Sequence, residues 1–213
     1  MISRVLNKIV KEIRYKRYRR RLNNPNVTIV SQNCLAGVIY KQLGIEFKSP
    51  TINGFFEDEN FIKLAYDFSK YMEYDAEPLI DRYVDPIDSS IVYPKIKIHD
   101  IEFCALHYDS SEDAVSAWNR RKKRVCLDNI CVIGNTWNLH NDKDLIKKLV
   151  NCPHKTIVFS TIDLPYDNCL KLPGNIWKVD ERGIVRPNIT DDILGTSYKY
   201  FEKFFDYVEW LNK

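Results

Sequence analysis

A chain of 213 residues, 45% of them hydrophobic and 29% charged, is long enough to bury a core and too apolar to remain disordered. Its net charge of +3 is uneven: residues 1–21 carry nine Lys or Arg and one Glu, a charge of +8, and subtracting +8 from +3 leaves −5 for the rest. A body of net negative charge argues against nucleic-acid binding, which depends on a basic surface.

Residues 1–22 predict an amphipathic helix. Its apolar residues recur at helical spacing, with Lys and Arg on the opposite face: Ile2, Val5, Leu6, Ile9, Val10 and Ile13. Two interpretations are open. The helix packs on the domain or on a second subunit, or it lies on an anionic membrane surface. Neither a secretory signal nor an apolar run of about 18 residues occurs, so we expect a cytoplasmic protein, at the inner face of the membrane in the second interpretation.

The six cysteines do not follow a metal-binding pattern. None forms a C-x-x-C pair, and no other spacing suits zinc. His99, His140 and His154 have no acidic or histidine partner at ligand spacing. We therefore expect reduced thiols and predict no metal and no cofactor.

Strands and helices alternate after the helix breaker at residues 23–26. Strands are predicted at 27–31, 130–133, 155–160 and 176–179, a hairpin at 96–106, and helices at 35–43, 58–72, 110–124, 141–150 and 201–211. Residues 76–93 are interpreted as a surface excursion. Apolar strands that alternate with helices predict an α/β fold of three layers, with a mostly parallel sheet, helices on both faces and one hairpin. We expect residues 23–213 to form a single domain.

Four polar clusters follow predicted strands, where ligands bind in open α/β sheets. They are Ser31–Cys34, His107–Asp109, Gly134–Asn138 and Ser160–Asp163. We predict a cleft where these clusters converge. Its predicted substrate-binding residues include Ser31, Gln32, Tyr108, Asn135 and Asp163.

Cys34 is the strongest candidate nucleophile. It lies between a strand and a helix, where free N–H groups and the helix dipole favour a thiolate. His107 could serve as its base, and Asn33 could polarise a bound carbonyl. In the alternative interpretation Cys34 is a small packing residue and His107 only hydrogen-bonds a loop carbonyl.

A basic run ends the helix at 110–124. Arg120, Arg121 and Arg124, with Trp118 one turn earlier, complete the predicted substrate-binding set and could hold a diphosphate or an anionic glycan. The alternative is a solvated helix end, where cations are favourable.

Several segments together are similar to a known family. They are Ser31-Gln32-Asn33-Cys34, Ser49-Pro50-Thr51, Leu106-His107-Tyr108, Trp118-Asn119-Arg120-Arg121 and the closing residues 205–212. Over residues 26–212 the chain resembles a bacterial domain-of-unknown-function family found among exopolysaccharide and capsule biosynthesis proteins. The resemblance implies a group-transfer enzyme that acts on a cell-surface glycan or its lipid-linked precursor.

Three functional hypotheses follow from the resemblance. The first is acyl transfer to a glycan through Cys34. The second is glycosyl transfer from a nucleotide sugar whose diphosphate one of the arginines binds. The third is a non-catalytic glycan-binding or assembly factor.

Overall fold

The computed structural model describes residues 2–136, 142–173, 177–179, 185–187 and 199–213. In these ranges the helices are α1 (Ile2–Arg21), α2 (Leu35–Leu43), α3 (Asp58–Tyr66), α4 (Phe68–Tyr71), α5 (Ser111–Lys122), α6 (Lys143–Val150) and α7 (Tyr207–Asn212), with a 3-10 helix at Tyr200–Lys203. The strands are β1 (Thr28–Ser31), β2 (Glu77–Val84), β3 (Val92–Ile98), β4 (Ile101–Cys104), β5 (Ile130–Asn135), β6 (Lys155–Ser160), β7 (Cys169–Lys171), β8 (Trp177–Val179) and β9 (Val185–Pro187).

The chain divides into two compact units. The smaller comprises Met1–Pro25, Val38–Glu46 and Pro173–Lys213, and the larger comprises Asn26–Gly37 and Phe47–Leu172. The predicted boundary at residue 22 remains a prediction. The parallel sheet and the hairpin both lie in the larger unit.

A four-stranded parallel sheet organises the larger unit, in the order β1-β5-β6-β7. The predicted α/β class, with a parallel sheet flanked by helices and one hairpin, is confirmed. Ser31 pairs with Ile133, and Asn135 pairs with Phe159. The carboxyl ends of β1, β5 and β6 therefore meet at one edge of the sheet. Val132 packs there with aromatic side chains from the neighbouring elements into one hydrophobic core.

Residues 77–84 form a strand, which corrects the predicted surface excursion. β2 pairs antiparallel with β3, and the register shifts after Pro78. Its side chains are exposed almost throughout. Because neither face of β2 is buried, its sequence lacks the apolar alternation that predicts a strand. Proline is tolerated there because β2 is an edge strand of its sheet.

The helix ends follow local capping chemistry. Ser110 caps α5, and its Oγ accepts a hydrogen bond from the Asp113 N–H at 3.1 Å. The cap of α6 is Asp142, whose carboxylate accepts from two backbone N–H groups at 3.0 Å. Asn141, like Asn138, His140 and Ile176, lies outside the described residues. Gly44 ends α2 at φ +63°, a conformation that favours glycine.

Two predicted helices are interrupted. The helix predicted at 58–72 is divided at Asp67 into α3 and α4. The helix predicted at 201–211 is divided into the 3-10 helix and α7. β7, a three-residue strand, was not predicted.

In the smaller unit, three residues of the predicted apolar face of α1 are exposed. Arg14 and Tyr15 are buried, whereas Ile9, Val10 and Ile13 are 51%, 50% and 63% exposed. At these three positions, packing of the apolar face on the chain's own domain is therefore wrong. Among the described residues, no helix combines the length and apolar character that crossing a bilayer requires.

Candidate functional site at the carboxyl edge of the parallel sheet

The turn from β1 to α2 is organised by its own polar side chains. Ser31 Oγ donates to the Asn33 carbonyl at 2.5 Å and accepts from the Ala36 N–H at 2.9 Å. Asn33 Oδ1 accepts from the Leu35 N–H at 3.0 Å. Ser31 and Asn33, predicted as substrate-binding and carbonyl-polarising residues, thus satisfy backbone groups at the start of α2.

Gln32 links β5 to the start of α3. Its Oε1 accepts from the Asn135 N–H at 3.0 Å, and its Nε2 donates to Asp58 Oδ1 at 2.5 Å. The side chain is buried and holds one conformation through both bonds. A carboxylate is therefore positioned beside the end of the central strand. Sequence reasoning interpreted Asp58 only as a helix-starting residue.

Asn135 ends β5, and its side-chain oxygen has no donor among the described residues. The residue is 3% exposed, and Oδ1 accepts no hydrogen bond from any described residue. A buried amide oxygen without a donor costs about 1–3 kcal/mol. Such groups are rare in folded proteins, and a ligand that donates a hydrogen bond is one explanation.

Two hydroxyl groups extend this edge. Thr136 Oγ1 lies 3.1 Å from Ser160 Oγ, and Ser160 Oγ also accepts from the Ile162 N–H at 3.2 Å. We call the five polar residues at this edge the carboxyl-edge cluster: Gln32, Asp58, Asn135, Thr136 and Ser160. Four are neutral amides or hydroxyls and one is a carboxylate.

A depression of about 500 Å³ lies between α6 and the loop after β6. It is lined mainly by apolar side chains with one acid and one base: Lys143, Ile146, Ile162, Asp163, Leu164, Pro165 and Tyr166. The Ser160–Ile162 hydrogen bond joins this loop to the carboxyl-edge cluster. Asp163, predicted to bind substrate, is exposed at the depression and pairs with Lys171.

At Cys34 the structure favours the packing interpretation over the predicted thiolate. Its Sγ lies 3.6 Å from the Gly54 carbonyl oxygen, and burial raises the pKa of the thiol to about 11. Desolvation of the thiol is the cause of this rise. The structure does not bring His107 to this thiol as a base. Among the described residues, the His107 ring forms no hydrogen bond with Cys34. The His107 side chain is exposed, and its backbone N–H donates to the Asn53 carbonyl at 3.1 Å.

Arg121 is the buried cation of the predicted set, at 8% exposure. It donates through Nη1 to Tyr108 Oη, and its guanidinium lies 5.5 Å from the centre of the Phe47 ring. Tyr108 in turn donates to the Ile52 carbonyl at 2.9 Å. Burial raises the pKa of Tyr108, while the charge of Arg121 opposes that rise. No carboxylate among the described residues forms an ion pair with Arg121.

The other residues of the predicted basic patch are not equivalent to Arg121. Arg120 is exposed and Arg124 is half-buried. Trp118 is a core residue, with its ring centre 5.6 Å from Phe103 and 6.3 Å from Phe56. At 1% exposure it has no surface for a substrate, which corrects its predicted role.

Comparison with known proteins identifies the family of this chain. A family model described as "Domain of unknown function (DUF1919)" matches residues 5–212. The chain belongs to the DUF1919 family. It is also similar to an uncharacterized protein of Haemophilus influenzae, with 28% identity over 197 residues that cover 91% of this chain and 87% of the relative. The predicted resemblance to a domain-of-unknown-function family is confirmed, and the DUF1919 match includes every residue of the carboxyl-edge cluster.

Proposed function

We propose that this DUF1919 protein is a group-transfer enzyme that acts on a glycan or its lipid-linked precursor in cell-surface polysaccharide biosynthesis. The observation that carries the proposal is the buried Asn135 Oδ1 of the carboxyl-edge cluster, which accepts no hydrogen bond from any described residue. Ligand sites combine apolar walls with a few placed polar groups. Here amides, hydroxyls and one carboxylate match the donors and acceptors of sugar hydroxyl groups, and the neighbouring depression offers the apolar wall.

Glycosyl transfer has better support than thiol-dependent acyl transfer. With a pKa of about 11, roughly one Cys34 thiol in 10⁴ is ionised at pH 7. In the proposed reaction the acceptor hydroxyl oxygen bonds to the anomeric carbon of a nucleotide sugar. The bond from that carbon to the phosphate oxygen breaks, and the nucleoside diphosphate leaves with the electron pair. Asp58 accepts the hydroxyl proton as general base.

Arg121 supplies the positive charge that this reaction requires. A diphosphate leaving group gains negative charge as the glycosidic bond breaks, and a preorganised guanidinium stabilises it. Burying a cation without an anion is unfavourable, so an anionic ligand would compensate Arg121. Tyr108 and the Phe47 ring hold the guanidinium in place.

The test measures thermal stabilisation by uridine and guanosine diphosphate sugars, followed by transfer of a labelled sugar to a glycan acceptor. We expect one nucleotide sugar to raise the Tm, because a ligand that binds only the native state stabilises it. Asp58→Asn should retain that shift and lower the transfer rate about 100-fold, as loss of a general base does. Asp67→Asn is the matched control, since Asp67 is exposed at the other end of α3.

Asn135→Ala and Tyr108→Phe separate the two parts of the site. Asn135→Ala should weaken binding of the sugar while free nucleoside diphosphate still binds. Tyr108→Phe should weaken binding of both. No Tm shift with any nucleotide sugar would contradict glycosyl transfer, and a shift with the glycan alone would favour the binding-factor hypothesis.

A further inference from the structure

A second concave site lies wholly within the smaller unit, between α1 and the C-terminal residues. We name it the arginine pocket. It has a volume of about 220 Å³ and is lined by charged and aromatic residues: Arg14, Arg17, Tyr18, Arg21, Glu202, Phe205, Asp206 and Tyr207. None of them belongs to the carboxyl-edge cluster.

The two acids of the arginine pocket are already occupied. Glu202, with a side chain 1% exposed, pairs with Arg14 at 3.4 Å and accepts from Tyr18 Oη at 2.9 Å. Asp206 pairs with Arg21 at 2.6 Å and caps α7 through the Glu209 N–H at 3.1 Å. Two of the three arginines therefore have counter-charges in the pocket.

Two groups of the pocket have no partner among the described residues. Arg17 is exposed and forms no ion pair there. Tyr207 is 1% exposed, and its hydroxyl makes no hydrogen bond with any described residue. With three arginines and two carboxylates, the lining keeps one net positive charge. Arg17 and Tyr207 both line the pocket, and a guanidinium together with a hydroxyl donor can bind phosphoryl oxygens.

We infer that the arginine pocket binds a phosphate group, with Arg17 as the cation and the Tyr207 hydroxyl as a second donor. The volume of 220 Å³ is below the roughly 300–1,000 Å³ of pockets that enclose a whole drug-sized ligand. The pocket therefore receives the phosphate group and leaves the rest of the ligand outside.

Arg17 of the arginine pocket lies on the same side of α1 as two exposed isoleucines. Ile13 precedes Arg17 by four residues, and Ile9 precedes Ile13 by four, so the three share one helical face. The two isoleucines are more than half exposed. The phosphate of a membrane lipid could thus enter the pocket while its chains meet the isoleucines. A soluble phosphate ester supplies the same chemistry, and the experiment distinguishes the two sources.

Isothermal titration calorimetry of the full chain with inorganic phosphate tests the pocket. We expect Arg17→Gln to weaken binding at least 10-fold. Arg20→Gln is the matched control, because Arg20 is exposed on the same helix and outside the lining. Tyr207→Phe should weaken binding several-fold without lowering the Tm, since it removes an unsatisfied hydroxyl. Equal weakening by Arg17→Gln and Arg20→Gln, or no phosphate binding at all, would overturn the inference.

Sedimentation with phosphatidylglycerol vesicles identifies the source of the phosphate. Loss of vesicle binding in Arg17→Gln, together with competition by inorganic phosphate, supports a lipid headgroup. Phosphate binding by calorimetry without vesicle binding supports a soluble phosphate ester in the same pocket. Vesicle binding that neither inorganic phosphate nor Arg17→Gln reduces would overturn the lipid assignment.

Discussion

The reactivity of Cys34 distinguishes a half-buried packing thiol from a catalytic thiolate. The structure raises the pKa from 9.0 to about 11 by burial. At pH 7 the thiolate fraction is then about 10⁻⁴, against about 10⁻² for a thiol of pKa 9.0. The more basic thiolate is also more nucleophilic, which recovers up to about tenfold. We therefore expect Cys34 to react with iodoacetamide about 10- to 100-fold more slowly than an unperturbed thiol.

The assay follows carboxamidomethylation of each cysteine by mass spectrometry between pH 7 and pH 10. The rate at Cys34 should rise about tenfold per pH unit across this range, because the thiolate fraction does so below the pKa. Glutathione serves as the exposed reference. Cys104, with a pKa raised to about 12, serves as the buried one. His107→Ala should leave the Cys34 rate unchanged. A rate that levels off below pH 8, or that falls in His107→Ala, would refute the assignment of Cys34 as a half-buried packing thiol.

Two further pairs of substitutions, each with its control, test the packing of buried residues. Glu202→Gln should lower the free energy of unfolding by about 3 kcal/mol in urea denaturation, because it leaves Arg14 buried without its acid. The exposed Glu209→Gln should cost less than about 0.5 kcal/mol, and equal losses would count against the buried pair. Gly54→Ala places a Cβ 2.3 Å from the Cys104 carbonyl oxygen and should cost about 3 kcal/mol. Gly37→Ala is the control, because its Cβ meets Ile52 at 3.3 Å. Its free energy of unfolding should stay within about 1 kcal/mol of the wild type. Similar losses in the two alanine variants would contradict the close approach at Gly54.

The parallel sheet was predictable because each of its longer strands is apolar and local in sequence. Val27–Ser31 and Ile130–Ile133 are β-branched runs that a sheet buried on both faces requires. Once they are parallel neighbours, the polar residues that follow them must lie at one edge. Gln32 and Asn135 were therefore expected at the same edge, and a hydrogen bond joins them although they are 103 residues apart.

Other features depend on tertiary contacts that leave no local pattern. β2 is exposed and is a strand only because β3 pairs with it. Asp58 reaches the site through Gln32, and its sequence context indicates only a helix start. At Cys34, the helix N-terminus was visible in the sequence. The burial that raises its pKa comes partly from Gly54, 20 residues further along the chain.

A crystal structure with a nucleotide sugar tests the central claim most directly. We predict a sugar hydroxyl within hydrogen-bond distance of Asn135 Oδ1, with the diphosphate beside Arg121 and an open path from the acceptor side to Asp58. A ligand bound elsewhere, with Asn135 Oδ1 satisfied by a donor from the protein itself, would contradict the proposed site.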